Sequence, residues 1–364
     1  MISFAMTDEQ QSARAALRGF ASDAMRPRAR DCDEASEIPE AFLAQTWELG
    51  LTATQLPESF GGYGAARSPL TNAIVLEELA HGDVALAIAA TAPSVFAYAV
   101  ADQGSDQQRA AYLPPLCGAR FQTASLAVCE PTPAFDALAP RSTAARNGKG
   151  LVLSGTKCFV PLADRASHFL VVARHGDRLD AFIVARDAAG LTISEAEKNL
   201  GLKALSTATL ILDGVRVADS DRLGGADGAD VPRLLNHCRV GMAAVLNGLA
   251  RGVLEYCVPY AKERVAFGEA IARKQSIAFR LAEMHMEVES MRWTIWKAAG
   301  ELERGLDATR STHLARTYAV EKAMWIADHG VQVLGGHGFI REHPVEMWYR
   351  NVRTLSVLEG LVTV

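Results

Sequence analysis

The residues best suited to chemistry lie in the last segment of the chain, from Gln332 to Val364. This segment holds a glycine cluster, several arginines and three glutamates, of which Glu359 is flanked by Val357, Leu358, Leu361 and Val362. Apolar surroundings disfavour the charged form of a carboxylate, and a base tuned in this way can take a proton from carbon near neutral pH. Because Gly360 follows, the pair can equally be a helix end with a glycine cap. From these residues alone the helix end is the simpler interpretation.

A second group of interest lies in the segment RVAFGEAIARKQ. Arg264, Phe267, Gly268 and Gln275 bring a cation, an aromatic ring, a glycine turn and an amide into close succession. The planar fork of an arginine donates to two oxygens of a pyrophosphate at once. The alternative is an ordinary corner between two helices with an arginine on its surface.

Length and composition limit the possible functions. At 364 residues with 49% hydrophobic content, the chain predicts two or three domains. The net charge of -5 argues against nucleic acid or an anionic membrane as the main partner. The six cysteines are scattered and the nine histidines lack metal-ligand spacing, so we expect reduced thiols, no metal site and a cytoplasmic protein. The N-terminus lacks the pattern of a signal peptide.

One uncharged segment, Val84 to Ala101, approaches the length of a membrane-spanning helix. It is dominated by alanine and interrupted by Thr91, Pro93 and Ser94. These residues make transfer into lipid unfavourable, so we predict a buried helix that is broken at Pro93.

The remaining pattern predicts helices, then strands, then helices again. Thr7 and Gln10 form a possible capping box at the first helix. Apolar residues from Ile277 to Ile295 recur at spacings of four and three, the period of a packed bundle helix. We predict domains at 1–118, 119–223 and 224–364, the middle one a short antiparallel sheet. Its predicted strands are Leu151–Ser154, Cys158–Val160, Phe169–Ala173, Ala181–Ala185, Ala208–Leu212 and Val215–Val217, with a hairpin loop at Arg174–Arg178.

Several short motifs occur together in a specific order. They are LPESFGGYG, VLEELAHGDVALA, CEPTPAFD, GTKCFVPLAD, KNLGLKALSTATL, DGVRV, RVAFG with Gln275, QVLGGHGF, and Arg350 followed by Glu359-Gly360. Each motif is weak alone, but the ordered set spans Thr7 to Gly360. On this set the chain resembles the flavin-dependent acyl-CoA dehydrogenase family.

The resemblance implies a mainly helical α+β fold. It comprises an N-terminal helical domain, a middle β-barrel-like domain and a C-terminal four-helix bundle, assembled as a homotetramer or dimer. In the family, FAD lies extended between the β domain and the bundle, and its ADP half reaches a neighbouring subunit.

The resemblance also implies roles for individual residues. Glu359 matches the catalytic base, and Phe135, Asn236 and Arg239 match positions at the substrate. Positions implied to bind the cofactor are Val128, Cys129, Phe159, Pro161, Arg264, Phe267, Gln275, Gln332, Gly335 and Gly336.

The implied reaction is the α,β-dehydrogenation of an acyl thioester to the trans-2-enoyl thioester. Glu359 would take the pro-R α-proton while the β-hydrogen leaves as hydride to flavin N5. A flavin hydroxyl and the base's own N–H would hold the thioester carbonyl, an interaction of about 3–4 kcal/mol per donor. The implied partners are an acyl-CoA or carrier-bound substrate, and an electron-transfer flavoprotein or oxygen as acceptor. Cys238 occupies the position where some relatives carry the base, so Glu359 is the one candidate.

The sequence departs from the family pattern around the implied flavin ring. Cys129 replaces a threonine, Phe135 a serine, Pro161 a threonine that bonds the flavin, and Leu361 a threonine. Proline lacks an N–H group as well as a hydroxyl. Relatives also continue past the position of Val364 through a further helix. These departures keep open an alternative function, a weakly active or non-catalytic subunit of a hetero-oligomer. A DNA-associated flavoprotein is disfavoured by the acidic net charge.

Overall fold

A computed structural model describes residues 5–148 and 150–364 of the chain. Its ten α-helices are α1 Asp8–Phe20, α2 Arg26–Ala35, α3 Glu40–Glu48, α4 Pro69–Gly82, α5 Val84–Gln103, α6 Asp106–Tyr112, α7 Val231–Glu263, α8 Gln275–Glu303, α9 Thr309–Leu334 and α10 Val345–Leu355. Its nine strands are β1 Ser125–Ala127, β2 Thr143–Asn147, β3 Gly150–Pro161, β4 His168–His175, β5 Arg178–Ala185, β6 Leu191–Ala196, β7 Thr207–Val217, β8 Val265–Ala266 and β9 Glu269–Ala270. The order of helices, strands and helices agrees with the prediction.

The N-terminal helices α3, α4 and α6 pack against α5, and α1 packs against α4. The predicted capping box is confirmed: the Thr7 hydroxyl accepts from Gln10 N at 3.2 Å, and the Gln10 amide accepts from Thr7 N at 3.1 Å. The predicted break at Pro93 is wrong, because α5 continues through this residue to Gln103. Nearly every residue of α5 is buried, and this burial offsets the cost of about 3 kcal/mol of an internal proline.

Helix α5 is long and apolar enough to span a membrane by composition, but 94% of its most apolar window is buried inside the protein. It is therefore a core helix of this fold. Its lack of a polar face follows from its position, since a helix that is covered on all sides is apolar all round.

The middle region forms one seven-stranded sheet with the order β1-β4-β2-β3-β7-β6, and β5 also pairs with β4. The expectation of a purely antiparallel sheet is wrong, because β1 and β2 both run parallel to β4. The predicted hairpin is confirmed by the pairing of His175 with Arg178. The separate strands predicted at Leu151–Ser154 and Cys158–Val160 are parts of β3, which stays continuous against β7 through register shifts.

The C-terminal helices α7, α8 and α9 pack side by side, and α10 folds back along α7 and α9. The predicted period of α8 is confirmed, since Met284, Val288, Met291 and Ile295 are all buried. Trp293 of the same helix is 42% exposed. Since α8 runs antiparallel to its neighbours, the ends of α7 and α9 meet the start of α8 at one end of the bundle. There Tyr260 Oη lies 2.9 Å from His337 Nδ1.

Candidate active site

Glu359 lies in the turn that follows α10, where the bundle meets the middle sheet. Its neighbours Leu358 and Gly360 are buried, and its own side chain is partly exposed. The Oε2 atom of Glu359 is buried and has no hydrogen-bond partner among the described residues. A carboxylate oxygen left unpaired at a buried position is costly unless a ligand or water completes it.

A cavity of about 360 Å³ opens beside this carboxylate. The bundle contributes Arg239 from α7 and Arg316 from α9, and the middle domain contributes Phe135 and Ala137. The volume falls in the range of small-ligand pockets. The structure thus brings three of the predicted site residues together, namely Glu359, Arg239 and Phe135.

Arg239 and Arg316 are both buried, with 9% and 6% exposure. Arg239 Nη1 contacts only Asn236 Oδ1 within the described part of the chain, at a long 3.5 Å. The Asn236 amide in turn bonds Thr309 and Thr312 of α9. Asn236 was predicted as a substrate contact, but it does not line the cavity. In this arrangement it orients Arg239.

The thiol of Cys129 touches the main chain of Glu359. Glu359 N donates to Cys129 Sγ at 3.3 Å, and the thiol lies 3.5 Å from Glu359 O. Burial raises the Cys129 pKa to about 11, so the thiol is neutral at physiological pH. Val128 also packs closely on this turn. A Cβ atom added to Gly360 would lie only 3.0 Å from Val128 Cγ2.

The two other predicted residues of the sheet lie at the end of β3. Phe159 is half-buried and has a positive φ of 54°, an unusual conformation for a large side chain. Its N–H donates to the Glu197 carboxylate at 3.1 Å, which holds the strained backbone. Pro161 is buried, and its carbonyl accepts from the Ser125 hydroxyl at 2.6 Å. Glu197 also lines a cleft of about 610 Å³ that reaches α3.

The remaining predicted residues lie at the far end of the bundle. Arg264 directly follows α7, and Gln275 begins α8. Gln332 lies in the last turn of α9, and Gly335 directly follows that helix. All of them are exposed, and Phe267 is 94% exposed. Sixteen residues of α9 separate Arg316 from Gln332, or about 24 Å of helix. One copy of the chain therefore does not bring these residues to Glu359.

Known proteins match this chain along its full length. The N-terminal, middle and C-terminal domain models of the acyl-CoA dehydrogenase family match residues 7–120, 125–215 and 228–362. A probable acyl-CoA dehydrogenase of Mycobacterium leprae is 31% identical, over 98% of this chain and 93% of that protein. The short-chain specific acyl-CoA dehydrogenase of rat mitochondria is also 31% identical, over 98% of this chain and 87% of that protein. The structure of butyryl-CoA dehydrogenase from Megasphaera elsdenii has a TM-score of 0.89 at 28% identity, over 99% and 96%.

The chain belongs to the acyl-CoA dehydrogenase family. It is therefore an oxidoreductase that acts on CH–CH groups, and its cofactor is FAD. The predicted fold class is confirmed as well.

The residues at the far end of the bundle fit the ADP half of FAD. Gly335 has φ 59°, and no atom lies within 4 Å of a Cβ added there or at Gly336, so the backbone is open to a ligand. Arg264 provides an exposed guanidinium for phosphate oxygens. At the ring end the fit is poorer, because Val128 and Cys129 contact the Glu359 turn directly.

Two residues of the site were missed by sequence reasoning. Arg316 carries a signal in the sequence, because it lies beside a row of alanines with helical spacing, Ala315, Ala319 and Ala323, which are buried on α9. Glu197 lies in a polar strand end and carries no comparable signal. In the described part of the chain, no group of three His, Cys, Asp or Glu side chains is arranged to hold a metal ion.

Proposed function

We propose that this chain converts an acyl-CoA thioester to the trans-2-enoyl thioester, with Glu359 as the base for the α-proton. The observation that carries the proposal is the buried, unpartnered Oε2 of Glu359, a residue that lines a cavity together with two buried arginines. Such an oxygen can accept a proton from a ligand that enters the cavity. Membership of the family is independent support.

The residues of the chain have distinct parts in the reaction. The Glu359 carboxylate accepts the α-proton, and the electrons of that C–H bond form the new C=C bond. Arg239 and Arg316 keep the local potential positive, which stabilises the negative charge that develops on the thioester oxygen. Bound FAD supplies the acceptor for the β-hydrogen and its electron pair. Glu359 N would hold the thioester oxygen once that oxygen replaces the Cys129 thiol.

A second candidate is a weakly active or non-catalytic subunit of a hetero-oligomer. The contact of Cys129 with the Glu359 main chain favours it, because a thioester oxygen must displace this thiol to reach Glu359 N. Pro161 adds to it, since its carbonyl is already bonded to Ser125 and it has no N–H to offer.

The exposed surface supports a homodimer or homotetramer. Phe279, Met286 and Trp293 are spaced by seven residues on α8 and are 59%, 65% and 42% exposed. A stripe with this spacing follows one face of a helix and suits packing against another helix. The separation of Arg264 and Gln332 from Glu359 also suits a cofactor that is shared with a second copy. Light scattering should give the mass of a dimer or tetramer for the wild-type protein. Met286→Glu places a charge in the stripe on α8 and should lower the measured mass.

The partners and the compartment are proposed from the same features. An electron-transfer flavoprotein or oxygen would reoxidise the reduced enzyme. All six cysteines are free thiols, which suits a reducing compartment such as the cytoplasm.

The visible spectrum of the purified protein tests the proposed function. The protein should be yellow, and an anaerobic titration with short-, medium- and long-chain acyl-CoAs should bleach it with at least one of them. A yellow protein that none of the thioesters bleaches would refute the proposed activity. A protein that stays colourless after reconstitution with FAD, or that purifies with a related subunit, would support the second candidate.

A further inference from the structure

We propose that Arg316 is a positioning residue for the Glu359 base. It fixes the turn that carries the base, and it places a buried positive charge at the cavity that Glu359 lines. This inference rests on the proposed role of Glu359 and adds a residue that acts through it.

The side chain of Arg316 bonds the turn that carries Glu359. Arg316 Nη2 donates to Leu355 O at 2.9 Å and to Leu358 O at 2.8 Å. Leu355 is the last residue of α10, and its carbonyl also accepts from Leu358 N at 3.3 Å. Leu358 directly precedes Glu359. A single guanidinium nitrogen therefore bridges the helix end and the base.

Two other nitrogens of the Arg316 guanidinium group do not bond these carbonyls. Arg316 Nε and Nη1 are buried and have no partner among residues 5–148 and 150–364. Burial lowers the Arg316 pKa, and the Glu359 charge opposes this change. A buried cation with unpaired donors is destabilising. A neutral donor could bond the same two carbonyls at less cost, so carbonyl binding alone does not account for an arginine here.

Charged side chains from several elements line the cavity beside Glu359. Arg239 faces the cavity from α7, Arg316 and the exposed His313 face it from α9, and the exposed Asp136 faces it from the middle domain. Asp136 is solvated and its effect is screened. The two arginines are both buried, and only Arg316 bonds the turn of Glu359. Removing its charge should therefore make the base accept a proton from solvent at higher pH.

Three variants separate the two actions of Arg316. Arg316→Lys keeps the charge, Arg316→Gln keeps a donor for the carbonyls without charge, and Arg316→Met keeps neither. The acidic limb of the kcat/KM profile against pH should stay in place for the Lys variant. It should move up by about one pH unit for the Gln and Met variants. The Met variant should also lose up to about 100-fold in kcat, because the base is displaced.

A matched control removes an arginine that bonds two carbonyls elsewhere. Arg186 Nη1 donates to Ala163 O and Ala166 O in the middle domain, and it does not line the cavity of Glu359. Arg186→Met should leave the pH profile in place. Thermal unfolding and the FAD absorbance of each variant show whether it is folded and loaded, and Arg316→Gln still tests the inference if Arg316→Met does not fold.

A measurement without catalysis separates this inference from the proposed function. Carbon-13 NMR of protein labelled at its glutamate carboxyls follows the Glu359 resonance, assigned by its loss in Glu359→Gln. Its titration midpoint should move to higher pH in Arg316→Gln and stay in place in Arg186→Met. An unmoved midpoint or an unmoved acidic limb in Arg316→Gln overturns the inference. A wild-type protein that no acyl-CoA bleaches overturns the proposed function, while the NMR titration still decides the role of Arg316.

Discussion

Cys129 joins the middle domain to the turn of Glu359 through a neutral thiol. Because burial raises its pKa to about 11, almost none of it is thiolate at neutral pH. The thiolate is the reactive form of cysteine. We therefore predict that iodoacetamide does not modify Cys129 in the native protein at pH 7.5, and that it does so after unfolding. Peptide mass spectrometry measures the modified fraction.

Cys117 serves as the internal control for this experiment, because it is more exposed than Cys129. It should be modified in the native protein before Cys129 is. Rapid native modification of Cys129 would show that the turn of Glu359 opens readily. That result would contradict the tight contact between Cys129 and the main chain of Glu359.

At the scale of one element, the start of α5 depends on the buried Asp83. This carboxylate accepts from Leu86 N at 2.9 Å and caps the helix. Burial raises its pKa to about 6 from 3.8, against the hydrogen bonds of Leu86 and Ala85. Between these pH values the folded state binds a proton that the unfolded state lacks, so stability falls as pH rises from about 4 to 6.

Asp83→Asn keeps a good helix cap and removes this ionisation. Relative to wild type, the variant should gain up to about 3 kcal/mol of stability between pH 4 and pH 7. Urea unfolding at both pH values measures the gain, and the comparison cancels any constant effect of the amide. Asp230→Asn, at the exposed cap of α7, should show a smaller change. An equal change in both variants would contradict the account of Asp83.

Element types were predictable where one period dominates, as in α8. The course of α5 through Pro93 was not, because burial by distant helices decides it. The parallel pairing of β1 and β2 with β4 was likewise hidden, since it joins segments far apart in sequence. At the site, Glu359, Arg239 and Phe135 were placed by family motifs. The contact of Cys129 with Glu359 required the structure, because 230 residues separate the two.

At the scale of the whole molecule, Glu78 ties the N-terminal helices to the bundle. It bonds Arg14 at 2.8 Å and Arg18 at 3.2 Å on α1, and Arg251 at 2.6 Å on α7. Burial alone would raise the Glu78 pKa, but bonds from Arg251 and Arg14 lower it to about 2. Its contribution to stability is therefore complete above about pH 4.5 and is lost as the pH falls toward 2.

Glu78→Gln should lower the free energy of unfolding at pH 7 by about 3 kcal/mol, because the buried Arg251 then loses its closest carboxylate and keeps the longer pairs with Glu77 at 3.2 Å and Glu255 at 3.8 Å. The difference from wild type should shrink at pH 3. Asp219→Asn breaks an exposed pair with Arg146 and should cost less than about 1 kcal/mol. Urea unfolding of the three proteins measures both effects. Equal losses in the two variants would mean that the buried network does not hold the domains together.

The central claim, that Glu359 is the base, is tested most directly by anaerobic bleaching of the flavin in Glu359→Gln. Wild type and the control Glu342→Gln, at an exposed carboxylate, should be bleached by the same acyl-CoA at the same rate. Glu359→Gln should keep its yellow colour and bleach at least about 100-fold more slowly, the smallest effect expected for loss of a general base. Bleaching of Glu359→Gln at the wild-type rate would contradict the assignment of Glu359.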